Sequence, residues 1–223
     1  MFFAFDIETT YPDQSVIDAE LALWKPTASA KKDETKEKQR AEAETRIREK
    51  SALLRDAPIT TAVFMSEQGM PFAFTTLKAG TSNCFQWDSE REMLIGLREW
   101  LDAWIQPEML LVGFNCLKFD LPHLRWAYVR HGLRWPGCLL NEDHPIADVM
   151  RRFLWVYGAD QPFIGLDEVA QRLKIGSKDG ITGKMAADWA QDPARHRDVI
   201  DYCRADTWLT VQAWLKLNGQ IGG

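Results

Sequence analysis

Three short segments carry residues whose types and spacing could do chemistry. The first is Phe5-Asp6-Ile7-Glu8-Thr9. In a strand, residues i and i+2 face the same side. Asp6 and Glu8 would then present two carboxylates together at the end of an apolar strand. Such a pair repels, and partial burial raises the cost. A divalent cation would relieve both effects. The second segment is Gly113-Phe114-Asn115-Cys116-Leu117-Lys118-Phe119-Asp120-Leu121-Pro122. It places Asp120 at a strand-to-helix junction, where α/β folds commonly put function. The competing role for Asp120 is to cap a helix that has Pro122 in its first turn. The third is Tyr202-Cys203-Arg204-Ala205-Asp206. Tyr202 and Asp206 are four residues apart and would share a helical face. Taken alone, this segment reads as a surface acid beside a half-buried phenol.

These residues need elements to position them. Residues 2–7 are predicted to form a short buried strand, because they are aromatic-rich and apolar. Ile59–Ser66, Pro71–Thr76, Cys84–Trp87, Met109–Phe114 and Ile146–Asp148 are predicted as further strands, with Gly69 and Gly80 at turns. Met93, Leu94, Leu97, Trp100, Leu101 and Trp104 recur at steps of three and four, which predicts an amphipathic helix over 89–105 with Ser89 as its cap. Further helices are predicted over 121–131, near 149–156, over 165–173, from about Met185, and from about Pro193 to Leu217 with Asp192 as cap. Gly176, Gly180 and Gly183 predict a loop. Strands come first and then alternate with helices, the pattern of an α/β domain with a mixed sheet.

Residues 11–57 leave this pattern. Residues 31–56 carry nine Lys/Arg against seven Asp/Glu, whereas the rest of the chain is acidic. Ala, Glu, Lys and Arg favour helix, and the apolar stripe is thin until Ile47, Leu53 and Leu54. A solvated projecting helix is expected, with a clamp over a nucleic-acid strand or a partner-binding arm as the functional alternative. Core packing is expected for Trp100, Trp104, Trp208 and Trp214, with base stacking as the alternative for one or two.

The 223 residues, 46% of them hydrophobic, can bury a sizeable core and exclude a mainly disordered chain. The whole of 1–223 is expected to form one domain. No apolar run is long enough to cross a membrane, and no signal peptide is expected. The cysteines at 84, 116, 138 and 203 form no CxxC pair. They are expected to be reduced thiols in a cytoplasmic protein, not zinc ligands or disulfides. A net charge of −5 argues against a simple basic DNA-coating protein. It leaves room for an enzyme that meets phosphates locally and through cations.

The strand-borne D-x-E, the later N-x-x-x-F-D and the C-terminal Y-x-x-x-D occur in one order across nearly the whole chain. This combination resembles the DEDD superfamily of 3′–5′ exonucleases, tyrosine type. Its wording is most similar to the proofreading exonuclease domain of family B DNA polymerases and to related stand-alone proteins. Gly165-Leu166-Asp167-Glu168-Val169-Ala170 resembles that family's helix between the second and third motifs. The histidine branch would put His where Asp201 stands. The excursion at 11–57 is longer than the tight hairpin usual after the first motif. Only 17 residues follow Asp206, so a stand-alone enzyme, or one with a separate protein partner, is expected.

The resemblance implies a ribonuclease H-like fold and phosphodiester hydrolysis with two divalent cations, Mg²⁺ or Mn²⁺. It implies that Asp6 bridges both ions, that Glu8 and Asp206 complete the site of the attacking water, and that Asp120 holds the second ion. Tyr202 would orient the water; a neutral phenol suits positioning more than proton abstraction at pH 7. The backbone at Ile7 and Thr9, with Asn115, Phe119 and Thr10, would approach the terminal nucleotides. Core packing is the alternative for Phe119. Asp148 is expected to cap a helix or pair with Arg151 or Arg152. Lys174, Lys178 and Lys184 could meet phosphates or simply be solvated. The expected substrate is a single-stranded or frayed DNA end. RNA, a non-catalytic nucleic-acid module, or a ribonuclease H-type endonuclease or resolvase are the alternatives.

Overall fold

The computed structural model describes residues 1–25, 33–53, 55–80, 82–140, 143–158 and 162–220. Strand β1 (Phe2–Thr9) leads into helices α1 (Gln14–Leu23) and α2 (Asp33–Ser51). Strands β2 (Ile59–Ser66), β3 (Pro71–Thr75) and β4 (Cys84–Gln86) follow, then α3 (Glu90–Trp104), β5 (Leu110–Gly113), α4 (Asp120–Arg130) and α5 (Gly137–Leu140). The chain continues through β6 (Ile146–Asp148), α6 (Val149–Tyr157), α7 (Leu166–Leu173), α8 (Gly183–Trp189), a 3-10 turn (Pro193–Arg195) and α9 (His196–Leu217). None of the helices described is long and apolar enough to span a membrane.

The sheet order is β4-β3-β2-β1-β5-β6. β1–β2 and β2–β3 are antiparallel, while β3–β4, β1–β5 and β5–β6 are parallel. The result is the expected mixed sheet with helices on both faces. The alternation of β1 divides its side chains. Phe3, Phe5 and Ile7 pack with Met93, Leu97 and Trp100 of α3 and with Leu121 and Leu124 of α4. Phe2 and Ala4 pack on the other face with Val149 and Phe153 of α6 and Val211 of α9. Asp6 and Glu8 have the parity of that second face, so β1 aims both carboxylates at the side that α9 covers.

Local signals account for most boundaries. Ser89 caps α3: its Oγ accepts the Glu92 N–H at 3.3 Å and donates to the Glu92 carboxylate at 3.0 Å, which fixes the hydroxyl in the capping position. Asp192 caps the 3-10 turn through the Ala194 N–H at 3.0 Å. Pro193 takes the turn's first position, where its missing N–H costs no hydrogen bond. Gly183 is the first residue of α8 and not part of the loop, because Thr182 caps that helix through the Met185 N–H. Gly113 is required at the end of β5, since a Cβ there would sit 2.4 Å from the Cβ of Cys116.

Two expectations need correction. The excursion is a helical pair. α1, with one buried apolar side chain, Ile17, packs beside α2. α2 buries Ala43 and Ser51 along one stripe and exposes most of its charged side chains. Residues 31, 32 and 54 of the charged stretch lie outside those described. Among the four tryptophans, Trp100 is buried and Trp214 half-buried, but Trp104 and Trp208 are exposed. Trp104 ends α3 and stacks flat against Trp100. Trp208 lies over the turn at Gly69, where a Cβ would come within 2.8 Å of its ring. The cysteines are free thiols as expected, three of them buried.

Candidate active site

The site lies where β1 outruns β5. The parallel pairing of β1 with β5 covers only Phe2–Ala4, which leaves the end of β1 open on that side. Asp120 fills part of the gap: its Oδ1 accepts the Ile7 N–H at 3.1 Å. Asp120 is thus the first residue of α4 but does not cap it. The loop before it is fixed by Asp148, whose carboxylate accepts the N–H groups of Asn115 (3.1 Å), Leu117 (3.3 Å) and Arg151 (3.3 Å). Asp148 therefore caps α6, as expected, and also braces the second acidic segment. Asn115 is held in the left-handed region, with φ at 56°.

From the opposite side α9 brings Tyr202 and Asp206, both nearly fully buried, over Asp6 and Glu8. A cleft of about 550 Å³ joins Asp6, Glu8, Asp120, Tyr202 and Asp206. Ile7, Thr9, Asn115 and Phe119 line the same cleft. Thr10 does not; its hydroxyl accepts from the Gln191 side chain beyond α8.

Burial is the largest cause that raises the proton affinity of each carboxyl. Asp6 is pushed up to about 7, by burial and then by the negative charge of Asp206. Glu8 is raised by burial and by Asp6, and Asp120 by burial and by Asp6. Asp206 is raised by burial against the opposing pull of Lys178. Burial and the surrounding carboxylates also push the Tyr202 phenol well up, so it stays neutral. Four carboxyls gathered in one cleft repel one another when ionised, and Lys178 offsets only part of that charge, so a divalent cation would be favoured there. Their oxygens are the hard donors that Mg²⁺ or Mn²⁺ prefers.

Lys178 was grouped by sequence with Lys174 and Lys184 around the glycine-rich loop, but its setting differs. Its Nζ donates to the Tyr202 hydroxyl at 2.5 Å, pairs with Asp206, and lies 4.6 Å from the Tyr202 ring centroid. The Lys178 N–H is held by Asp167 at 2.7 Å, so the Gly165–Ala170 segment aims this lysine inward. Lys184 also lines the cleft, whereas Lys174 takes the left-handed cap of α7. Cys203 was not singled out by sequence. Its Sγ lies 3.5 Å from Asp6 Oδ2, and ligand atoms of Asp6, Glu8 and Cys203 fall within 4.8 Å of one another. Its place next to Tyr202 on α9, facing β1, was the available signal. Ala52, Leu53 and Phe163 also line the cleft and carried no such signal.

The RNase_H superfamily model matches residues 72–216. The chain belongs to the RNase_H superfamily. The matched segment holds Asp120, Tyr202 and Asp206, and β1 with Asp6 and Glu8 precedes it. Among solved structures, this RNase_H superfamily chain is similar to the family B DNA polymerase from the hyperthermophilic archaeon Pyrobaculum calidifontis. The identity is 15% and the TM-score 0.57, over 96% of this chain and 24% of that one. The chain thus spans about a quarter of the polymerase it matches. At that identity the likeness shows a shared fold. No curated protein matches the chain. Membership of this superfamily accounts for the mixed sheet with flanking helices, and the clustered carboxylates on it supply the hard oxygen donors that divalent cations prefer.

Proposed function

We infer that the chain is a 3′–5′ exonuclease that removes nucleoside 5′-monophosphates from single-stranded or frayed DNA ends. The observation that carries this is the convergence of Asp6, Glu8, Asp120, Asp206 and Tyr202, from three separate segments, on one cleft. Asp6 would be shared between two divalent cations, with Glu8 and Asp206 completing one site and Asp120 the other. When bound, such ions polarise the scissile phosphate, activate a water and stabilise the leaving 3′ oxygen. Tyr202 keeps its proton and acts as a hydrogen-bonding guide for the attacking water. Water oxygen joins phosphorus as the bond to the 3′ oxygen breaks, which leaves a strand shortened by one nucleotide. The Ile7 carbonyl, the backbone at Thr9, Asn115 and the face of Phe119 would orient the terminal nucleotides, the Ile7 N–H being taken by Asp120.

The test is a 5′-labelled single-stranded DNA oligonucleotide with Mg²⁺ or Mn²⁺, beside an EDTA control, resolved on a denaturing gel. A ladder that shortens from the 3′ end and disappears with EDTA is expected. An RNA strand of the same sequence, run in parallel, assigns the sugar preference. Intact DNA and RNA under both metals would overturn the reading.

A further inference from the structure

The returning end of the 11–57 excursion is tied down on two sides. On one side the Thr9 hydroxyl anchors it by donating to the Ala52 carbonyl at 2.6 Å. On the other side Arg55 and Asp56 lie along α4. The Arg55 guanidinium donates through Nη2 to the Lys118 carbonyl at 2.7 Å and through Nη1 to the Phe119 carbonyl at 3.2 Å. Its Nη1 also meets the His123 ring, one turn into α4. The Asp56 carboxylate accepts the Trp126 indole N–H at 2.7 Å, and Arg130 donates to the Arg55 carbonyl at 3.1 Å. Arg130 is itself fixed by both oxygens of Glu90, at 2.7 and 2.8 Å. The sequence explains why a side chain is wanted at this place. A carbonyl at the start of a helix is ordinarily met by the N–H four residues on. The Phe119 carbonyl has that donor, the His123 N–H at 3.1 Å. The Lys118 carbonyl does not, because residue 122 is proline. Arg55 supplies the missing donor.

We propose that Arg55 is a positioning residue for the carboxylate site, holding the two peptide groups directly before Asp120. The inference rests on the exonuclease reading for the part that Asp120 plays, and it makes the excursion a piece of the site's frame. A planar guanidinium presents its N–H groups in a fixed fork. Two successive carbonyls bound to one fork are oriented together, and with them the backbone that enters Asp120. The N–H groups of the same loop, at Asn115 and Leu117, are taken by Asp148. Asp148 thus holds the loop's donors and Arg55 its acceptors. The Ile7 N–H then fixes the Asp120 side chain. Arg55 is exposed and is not among the residues that line the cleft, so it acts on the site through Asp120. The sign of its effect separates this role from plain electrostatics. A cation near carboxylates competes with a metal ion, so removing its charge alone tightens metal binding. Losing the fork frees the Asp120 backbone and weakens metal binding.

The experiment measures Mn²⁺ binding by titration calorimetry and hydrolysis of a 5′-labelled oligothymidine. Wild type, Arg55→Ala, Arg55→Lys and Asp56→Ala are compared, with melting temperatures recorded for each. Arg55→Ala should bind Mn²⁺ about tenfold more weakly and hydrolyse about 10- to 100-fold more slowly, the scale of losing a group that orients a metal ligand. Arg55→Lys keeps the charge but not the fork, and should share both losses in smaller degree. Asp56→Ala loosens the excursion from α4 without touching the loop before Asp120, and should match wild type in both readouts. Unchanged or tighter Mn²⁺ binding in Arg55→Ala, or in Arg55→Lys should the alanine variant not fold, overturns the proposal; with hydrolysis by wild type intact, the nuclease reading stands. Equal losses in Asp56→Ala also overturn it, since a merely stabilising tie would produce them. Weaker Mn²⁺ binding in both Arg55 variants, without hydrolysis by wild type, supports the positioning role and overturns the nuclease reading. Absence of Mn²⁺ binding by wild type overturns both.

Discussion

The Asp120 carboxylate accepts the Ile7 N–H, so the second acidic segment is tied to the first between Asp6 and Glu8. The bond exists because β5 stops pairing with β1 at Ala4. An N–H that a longer β5 could have taken is left for a side chain. A proposed metal ligand is thus positioned by the same strand that carries two others.

This arrangement separates two roles of Asp120. Asp120→Asn keeps an oxygen that can accept the Ile7 N–H but removes the charge. Hydrolysis should fall by about 10²-fold or more, the scale of losing one electrostatic group at a reacting centre, while the melting temperature holds or rises. Asp120→Ala should lose activity equally and in addition destabilise the fold by about 1–3 kcal/mol, since the Ile7 N–H is left unpaired. Kinetics and urea unfolding of both variants check this. Equal stability of Asn and Ala variants would refute the structural half.

Asp148 braces the loop that carries Asn115 and leads to Asp120. Asp148→Ala leaves three N–H groups without their acceptor and removes the α6 cap. A loss of about 2–4 kcal/mol is expected from the unpaired donors and the cap together. Urea denaturation measures it. The loss should come with a raised KM for the strand end, because Asn115 and Phe119 line the cleft. An unchanged unfolding midpoint would contradict the bracing role.

Lys178 faces the carboxylates proposed to hold the cations as a positive charge already in place. It pairs with Asp206 and holds the Tyr202 hydroxyl. Lys178→Met should therefore bind Mn²⁺ more tightly, by about tenfold, as a competing charge is removed. It should also hydrolyse more slowly, because Tyr202 loses one of its two partners and keeps only Asp206. Titration calorimetry and single-turnover rates report the two effects separately. Weaker Mn²⁺ binding in this variant would show that the lysine helps to build the cation site.

Much of this was legible in the sequence. The alternation of Phe3, Phe5 and Ile7 against Asp6 and Glu8 showed which face of β1 holds acids, and Ser89 and Asp192 marked their caps. The family resemblance put Tyr202 and Asp206 with them. Other features depend on contacts distant in the chain. α1 buries one apolar side chain, Ile17, so its periodic signal is faint. Lys178 is drawn from loop to site by Asp167 and by the acids on α9. Leu53 resembles the start of a core stripe, yet the Ala52 and Arg55 anchors turn it into the cleft. Thr10 lies one residue past the cleft-lining Thr9, and the turn of the chain there carries it to Gln191.

The same carboxylates make metal-free stability fall with rising pH. An unfolded Asp titrates near 3.8, whereas folded Asp6 is raised to about 7. Between those values the folded chain binds more protons than the unfolded one, so stability is full below about pH 4 and is lost as pH rises toward 7. The slope from one such group is at most about 1.4 kcal/mol per pH unit. Glu8 and Asp120 are raised in the same sense and add to it. A divalent cation requires the deprotonated carboxylates, so its stabilising effect grows over the same range. Melting curves at pH 5, 6, 7 and 8, with EDTA or with Mn²⁺, should show a declining melting temperature without metal. The increment from Mn²⁺ should be small at pH 5 and largest at pH 8. In Asp6→Ala both the decline and the increment should shrink, because that variant removes one raised carboxyl and the ligand shared between the two proposed ions. A metal increment of equal size at pH 5 and pH 8 would show that the cation binds elsewhere on the chain.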